Sequence, residues 1–516
     1  MSLPPLSFKF FLSWKRLVPG LALLLLIVSL FLPSILLKMF LNGSFSADDP
    51  YFDSVRTVSA RVNWLFDGFT VKGATIYLKD APGAPITVRE ARAENLDRLE
   101  FLKLFVGLSG PQTASILREG QLTLVGVDAP SAARVLGVEG SFASLSLRGL
   151  DWGPGEYFDP TALRLDFLEI NDLALRAPDL ASLSARRLAL QGIARGVWGA
   201  VDLEEFRADS PRADSLEIER ASAANFSLNA LQNPSERGLA PAFFSFWTAL
   251  ESLDCAAARL AFGGEEAFGF ASLAWANPSA PSPGGPQGPK SLSLARLFLN
   301  LEAWDLDESD PFARVALLTF ADGFQADLRL SLKPTGVPGE TATALDLTLP
   351  EARLAFQSQT ENFYPTEAGS LAELGLRAYE GKIRAGSLQL ADRGLAAKLY
   401  DALARVSFAG EDPRGPLADL LTKSLLGYLG DALPDGGDGL ARELAAFIGD
   451  PQSLEIRWAP QDPFPQGAIA RAARRAPDDA RAFDEKLKRA ILEDAFLSLS
   501  ANGRAFLSLT PASANP

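Results

Sequence analysis

LTLVGV (Leu122 to Val127), LSLRGL (Leu145 to Leu150) and LALQGI (Leu188 to Ile193) share the form L-x-L-x-G-[VLI], and FTVKGA (Phe69 to Ala74) is a looser copy. Apolar residues two apart put one side of an extended strand on a core and the other side toward water. The glycine that follows ends or kinks the strand where a side chain would obstruct the backbone. The copies start 23 and 43 residues apart, so this is a weak repeat and not a regular array. Coincidence in a leucine-rich β protein is the alternative.

Working outward, the same alternation recurs at Leu163/Leu165/Phe167, Leu173/Leu175, Leu216/Ile218 and Phe226/Leu228. It continues at Leu297/Leu299/Leu301, Leu328/Leu330/Leu332, Leu345/Leu347/Leu349 and Leu388/Leu390. Many short strands at near-regular spacing predict a large antiparallel or solenoid-like β-sheet body. The fold class expected is mostly β with α insertions (α+β). Helical spacing interrupts the pattern at Phe243, Phe246, Trp247, Leu250 and Leu253, and again from Leu417 to Leu429 behind Pro416. A further helix is expected from an N-cap at Asp438 to about Gly449, and a charged one over about 478–494. Amphipathic helices thus gather toward the C-terminus. Asn502-Gly503 between two apolar runs predicts a type I′ hairpin. The segment ANPSAPSPGGPQGPK, Ala276 to Lys290, carries five prolines and three glycines and reads as a linker or long exposed loop. The body is therefore divided into a β-rich domain at 51–275, a linker at 276–290, and a β-rich domain with C-terminal helices at 291–516.

Composition narrows the chemistry. The chain of 516 residues is 47% apolar, ample for real cores, and its formal net charge is −14. Nucleic acid is excluded as a partner because phosphate binding needs clustered Lys and Arg, and no such cluster occurs. There is no histidine, and Cys255 is the single cysteine. That removes intrachain disulfides, Cys-rich metal sites, and Ser-His-Asp or Cys-His catalysis. The serine-hydrolase elbow and the phosphate-cradling glycine loop are absent. Cys255 reads as a small buried hydrophobe. The acidic run Asp305, Asp307, Glu308 and Asp310 lacks the glycine and terminal glutamate of a calcium loop and reads as a solvated turn. Asp435 to Gly439 reads as the end of one helix and the cap of the next. No catalytic, cofactor or metal residues are assigned, no lipid-contacting residues can be named, and no enzymatic role is expected.

No charged residue falls between Arg16 and Lys38. The 21 residues from Leu17 to Leu37 would span about 31 Å as a helix, matching a hydrocarbon core of ~30 Å. An uncleaved signal anchor is expected over 17–41, behind a cytoplasmic tail at 1–16. Lys9, Lys15 and Arg16 precede the run, against Lys38 and Arg56 after it, which favours an exported body.

A single N-terminal anchor followed by a long body of L-x-L-x-G-[VLI] strands resembles AsmA-like bacterial envelope proteins, over the anchor and loosely over Val55 to Leu228. The resemblance implies a single-pass protein of the bacterial inner membrane with its body in the periplasm. It also implies phospholipid and envelope proteins as partners, and it transfers no catalytic residues. The chain departs from that pattern after residue 290, where helices become prominent. Two functions are expected from this reading: binding or transfer of lipid or other apolar ligands along an open apolar face, or a non-catalytic scaffold with a sealed core.

Overall fold

The computed structural model describes Ser34, Leu37, Lys38 and Asn42, and then most residues between 52 and 509. Outside the described residues lie 1–33, 43–51, 102–118, 131–138, 152–163, 228–249, 278–289, 362–381, 430–437, 466–494 and 510–516, with a few shorter stretches. The expected anchor, apart from Ser34, Leu37 and Lys38, therefore lies outside them, as does the helix expected over 478–494. Among the described residues no helix is long and apolar enough to cross a membrane. The chain divides into two compact units, 1–195 and 196–516.

The first unit is an antiparallel meander of β1 (Phe52–Val62), β2 (Phe69–Leu78), β3 (Ala81–Glu94), β4 (Gln121–Ala129), β5 (Glu139–Arg148), β6 (Arg164–Arg176) and β7 (Ser182–Ala194). Each strand pairs with the next. Its core gathers Leu37, Ala60, Val62, Val71, Ala74, Val88, Ala93, Leu96, Phe101 and Val127. Phe101 lies stacked on Phe69 with ring centroids 5.9 Å apart.

The repeated hexapeptide acquires a structural meaning here. Gly73 and Gly126 sit inside strands with φ of +61° and +62°. One left-handed residue turns the chain over, so the next inward residue comes three positions on instead of two. The registers show it directly: Val71 faces Ala91 and Ala74 faces Val88, while Leu124 faces Leu145 and Val127 faces Phe142. Both strands of each pair reset together, so the ladder continues without a slipped register. The glycine thus lets Leu122, Leu124 and Val127 share one face. Gly192 does the same for Leu190 and Ile193. Gly149 falls just past the end of β5, where an added Cβ would collide with the Asp166 carboxylate.

The second unit continues the theme with β8 (Val197–Asp209), β9 (Ser215–Ser227), β10 (Ser252–Phe262), β11 (Glu265–Ala276), β12 (Lys290–Leu299), β13 (Phe324–Pro334), β14 (Glu340–Thr348), β15 (Ala352–Glu361) and β16 (Lys382–Asp392). Then come β17 (Ser453–Pro460), the two-residue β18 (Phe464–Pro465), β19 (Ala495–Ala501) and β20 (Arg504–Leu509). Pairing is antiparallel throughout, with β18 bonded to the start of β16 and β17 to β19. Among the described residues its α-helices are α1 (Pro311–Thr319), α2 (Leu395–Ser407), α3 (Arg414–Leu429) and α4 (Asp438–Gly449). All four are inserted at one end of the strands, the end marked by the Leu299–Phe324, Thr348–Arg353 and Ala391–Ser453 rungs. α1 packs on α2, and α3 on α4. The Asp310 carboxylate accepts from the Phe312 N–H at 2.9 Å and Pro311 supplies the first turn, which starts α1. Lys398 ties α2 to Glu351 at 2.6 Å.

Three expectations differ from what is found. The Pro/Gly-rich 276–290 segment joins β11 to β12, which pair with one another, so its flanks belong to one unit. A composition that forbids regular structure suits a long hairpin loop as well as a linker. The division falls instead between residues 195 and 196. Leu253, expected on a helical face, lies in β10 opposite Trp275 and Ala223; Phe243, Phe246 and Trp247 are outside the described residues. The helix expected from 417 begins at Arg414, whose N–H donates to the Asp412 carboxylate at 3.0 Å. The Asn502-Gly503 turn is as expected, with φ of +50° and +75°.

Candidate functional site

Directly opposed residues share a face, so the registers can be followed across each sheet. In the first unit one row runs Ala60, Val71, Ala91, Leu124, Leu145, Ile170, Leu188, one residue from each of β1 to β7. A second row runs beside it through Val62, Phe69, Ala93, Leu122, Leu147, Leu168 and Leu190. Every position in both rows is apolar, although the sequence between strands varies freely in length.

The second unit carries a longer pair. Its first row is Val201, Ala223, Leu253, Trp275, Leu292, Leu330, Leu345, Phe356, Leu388, Ile456 and Leu499, with Leu507 opposite Leu499 on β20. The second is Leu203, Ala221, Cys255, Leu273, Leu294, Leu328, Leu347, Leu354, Leu390, Leu454 and Ala501. At ~4.8 Å per strand, eleven strands make an apolar track about 48 Å long along the sheet contour. From Leu292 to Leu499 every residue of the first row is half-buried, neither sealed nor exposed. Among the described elements α4 reaches β19 and β20, the helical turn at 302–304 reaches β11, and α2 enters at Leu395 beside Ala326, Leu349 and Ala352.

The same face turns polar toward the loop end of the strands. Beyond Leu332 and Leu345 stand Thr343, Ser358, Thr341 and Thr360, the last two buried. Lys290 opposes Leu332, and Asn277 is its neighbour across the hairpin; both are 2% exposed. Burial pushes the Lys290 ammonium down to about 8. Trp458 lies over Gly386 and against Phe356, ring centroids 6.0 Å apart.

The opposite face is polar. Ser291, Ser331, Ala344, Gln357 and Ser387 alternate with charged pairs such as Arg353–Asp346 at 2.5 Å and Arg457–Glu455 at 2.7 Å. The Arg353 hydrogen bond holds Asp346 below the ordinary carboxylate range, and Arg457 with Gln389 does so for Glu455. Two shallow depressions of about 540 and 400 Å³ are lined mainly from this side, by Gln357, Gln389, Ala344 and Arg or Ser neighbours, with Trp458 at the larger and Leu292, Leu330, Leu345 and Phe356 at the smaller.

Of the residues singled out in the sequence, Cys255 is a buried member of the second row, in a strand, with its thiol pushed up by burial. Asp310 caps α1; Asp305, Asp307 and Glu308 lie outside the described residues. Among the described residues no group of three or more His, Cys, Asp or Glu converges as metal ligands would. What the sequence reading missed is the reset at non-glycine positions. Asp172, Glu205, Asn225, Ala257 and Arg296 also have positive φ inside strands. Each is flanked by the same signal, an apolar residue two before and one after: Ile170 and Leu173, Leu203 and Phe206, Ala223 and Phe226, Cys255 and Ala258, Leu294 and Leu297.

A family model described only as "Uncharacterized protein" matches residues 317–483, which include β13 to β18 and α2 to α4. No curated protein matches the chain.

Proposed function

We propose that this chain is a membrane-anchored, non-catalytic protein that holds acyl chains or other apolar ligands along the leucine rows of its sheets. The carrying observation is the first row of the second unit, apolar on eleven strands, β8 to β17 and β19, and half-buried from Leu292 on β12 to Leu499 on β19. A core residue needs to be buried; a surface kept apolar in register over eleven strands but left half-covered is suited to an elongated ligand. Each methylene laid there gains about 0.8 kcal/mol, so ten of them offset much of the ordering cost of binding. The uncharged run that begins at Leu17 supports an anchor in the bacterial inner membrane, its last turn from Ser34 meeting β1 instead of lipid, and the resemblance to AsmA-like envelope proteins supports a periplasmic body and phospholipid as ligand.

A scaffold that contacts other envelope proteins is the second reading, and one observation favours it. The two depressions on β12 to β17 open mainly among polar-face residues such as Gln357, Gln389 and Arg457, and Leu292, Leu330, Leu345 and Phe356 border only the smaller one. The readings separate experimentally. Full-length protein in mild detergent should carry extractable lipid, seen by native mass spectrometry. Leu330→Asp with Phe356→Asp should reduce that lipid at least about fivefold, while Gln357→Asp on the other face leaves it unchanged. Protein that is lipid-free, or loses lipid equally with both changes, leaves the scaffold.

A further inference from the structure

β1 is an edge strand: among the described residues it pairs with β2 alone. The side chains of Ser34, Lys38 and Asn42 meet its outward backbone groups. The Val62 N–H donates to Ser34 Oγ at 3.0 Å, and Lys38 Nζ donates to the Val58 carbonyl at 3.1 Å. Asn42 Oδ1 accepts twice from Thr57, from its N–H at 2.5 Å and its hydroxyl at 3.0 Å. The Asn42 N–H itself donates to the Lys38 carbonyl at 2.9 Å, a helical i to i−4 bond. Ser34, Lys38 and Asn42 are spaced four apart, one face of a helix. Eight helical residues advance about 12 Å and five strand residues about 16 Å, so side chains can bridge the difference. Leu37 sits within this span, 4% exposed, in the core with Ala60 and Val62.

Those two core residues are the first members of the two apolar rows. A strand added at β1 would satisfy the outward N–H and C=O groups and also lengthen both rows. An exposed edge of that kind recruits other chains. The strand fittest to do so is one that already carries the matching pattern, namely β1 of a second copy. We propose that Ser34, Leu37, Lys38 and Asn42 are a built-in seal of the β1 edge, and that without it two copies of this chain pair there. The seal differs from a covering strand in using side chains, three polar groups and one leucine, so it can be removed by point substitution while the strand stays intact.

The test uses the full chain in detergent micelles, with Ser34→Ala, Lys38→Ala and Asn42→Ala combined. At a dilution where the variant is monomeric, amide exchange at Thr57 and Val62 should quicken at least tenfold; at higher concentration the mass by light scattering should rise toward a dimer and that exchange should slow again, while the unsubstituted chain stays constant in both. Asn42→Asp, which keeps an acceptor, should leave exchange at Thr57 within about twofold. Unchanged exchange of the Leu124 and Leu145 amides shows that the sheet itself is intact. Should the triple variant lose them, Asn42→Leu alone, read at Thr57, decides. Unchanged exchange at Thr57 in the dilute monomer overturns the seal, and a mass that stays constant as concentration rises overturns the pairing of copies.

Discussion

Ala257 and Gly126 occupy equivalent reset positions with opposite chemistry, which makes the reset measurable. Ala257 has φ +44° and lies between the inward Cys255 and Ala258; Gly126 has φ +62° between Leu124 and Val127. A left-handed conformation costs an L residue about 1–2 kcal/mol. Ala257→Gly relieves that cost but gives the unfolded chain freedom worth about 0.4–1 kcal/mol. The net expectation is a gain of about 1 kcal/mol. Gly126→Ala reverses both terms and adds a contact: the new Cβ would stand 3.0 Å from Arg89 Cβ, which is fixed in the paired strand. Its net loss should therefore reach about 1–2 kcal/mol. Amide exchange in the full chain reads each unit separately, since strand amides report opening of their own unit. Slower exchange across β9 to β11 is expected for Ala257→Gly, and faster exchange across β3 to β5 for Gly126→Ala. Destabilisation by Ala257→Gly, or stabilisation by Gly126→Ala, would refute the reset and with it the alignment of the rows.

Lys290, held at about 8 against an ordinary 10.5, should make stability depend on alkaline pH. Below pH 8 it is charged in both states and costs the fold up to about 3 kcal/mol. Between pH 8 and 10.5 the folded state sheds its proton first, so stability should rise across that window; Lys290→Met should raise stability at pH 7 and flatten the rise. A profile falling with pH there, or unchanged by the substitution, counts against a buried ammonium. Gly386→Val would put a side chain into the Trp458 ring, so tryptophan emission should shift red and β16–β17 exchange quicken; an unaltered spectrum would show that the ring lies elsewhere.

Alternation, the hairpin at Asn502-Gly503 and the helix ending at Gly449 are local properties, and each could be read from its own few residues. Period-two leucines announce a strand wherever it pairs, and Asn-Gly adopts left-handed angles without outside help. The start of α1 was equally legible in Asp310-Pro311, where only a solvated turn was expected. The bounds of 276–290 were visible in its prolines, yet composition does not say whether the flanks pair. The left-handed conformations at Asp172, Glu205 and Arg296 belong to a different order. No local preference places Arg296 there; it is turned over because β11 and β12 must both return apolar residues to one face, with Phe270 and Leu273 matched by Leu294 and Leu297. Likewise, Leu253 could satisfy a helical spacing on paper, while pairing with Ala223 and Trp275 makes it a rung. The sequence by itself determined that half of these residues face inward. Only the tertiary structure decided that they stand in line, because a row across a sheet is set by the register of each strand on its neighbour, and register is a property of pairs.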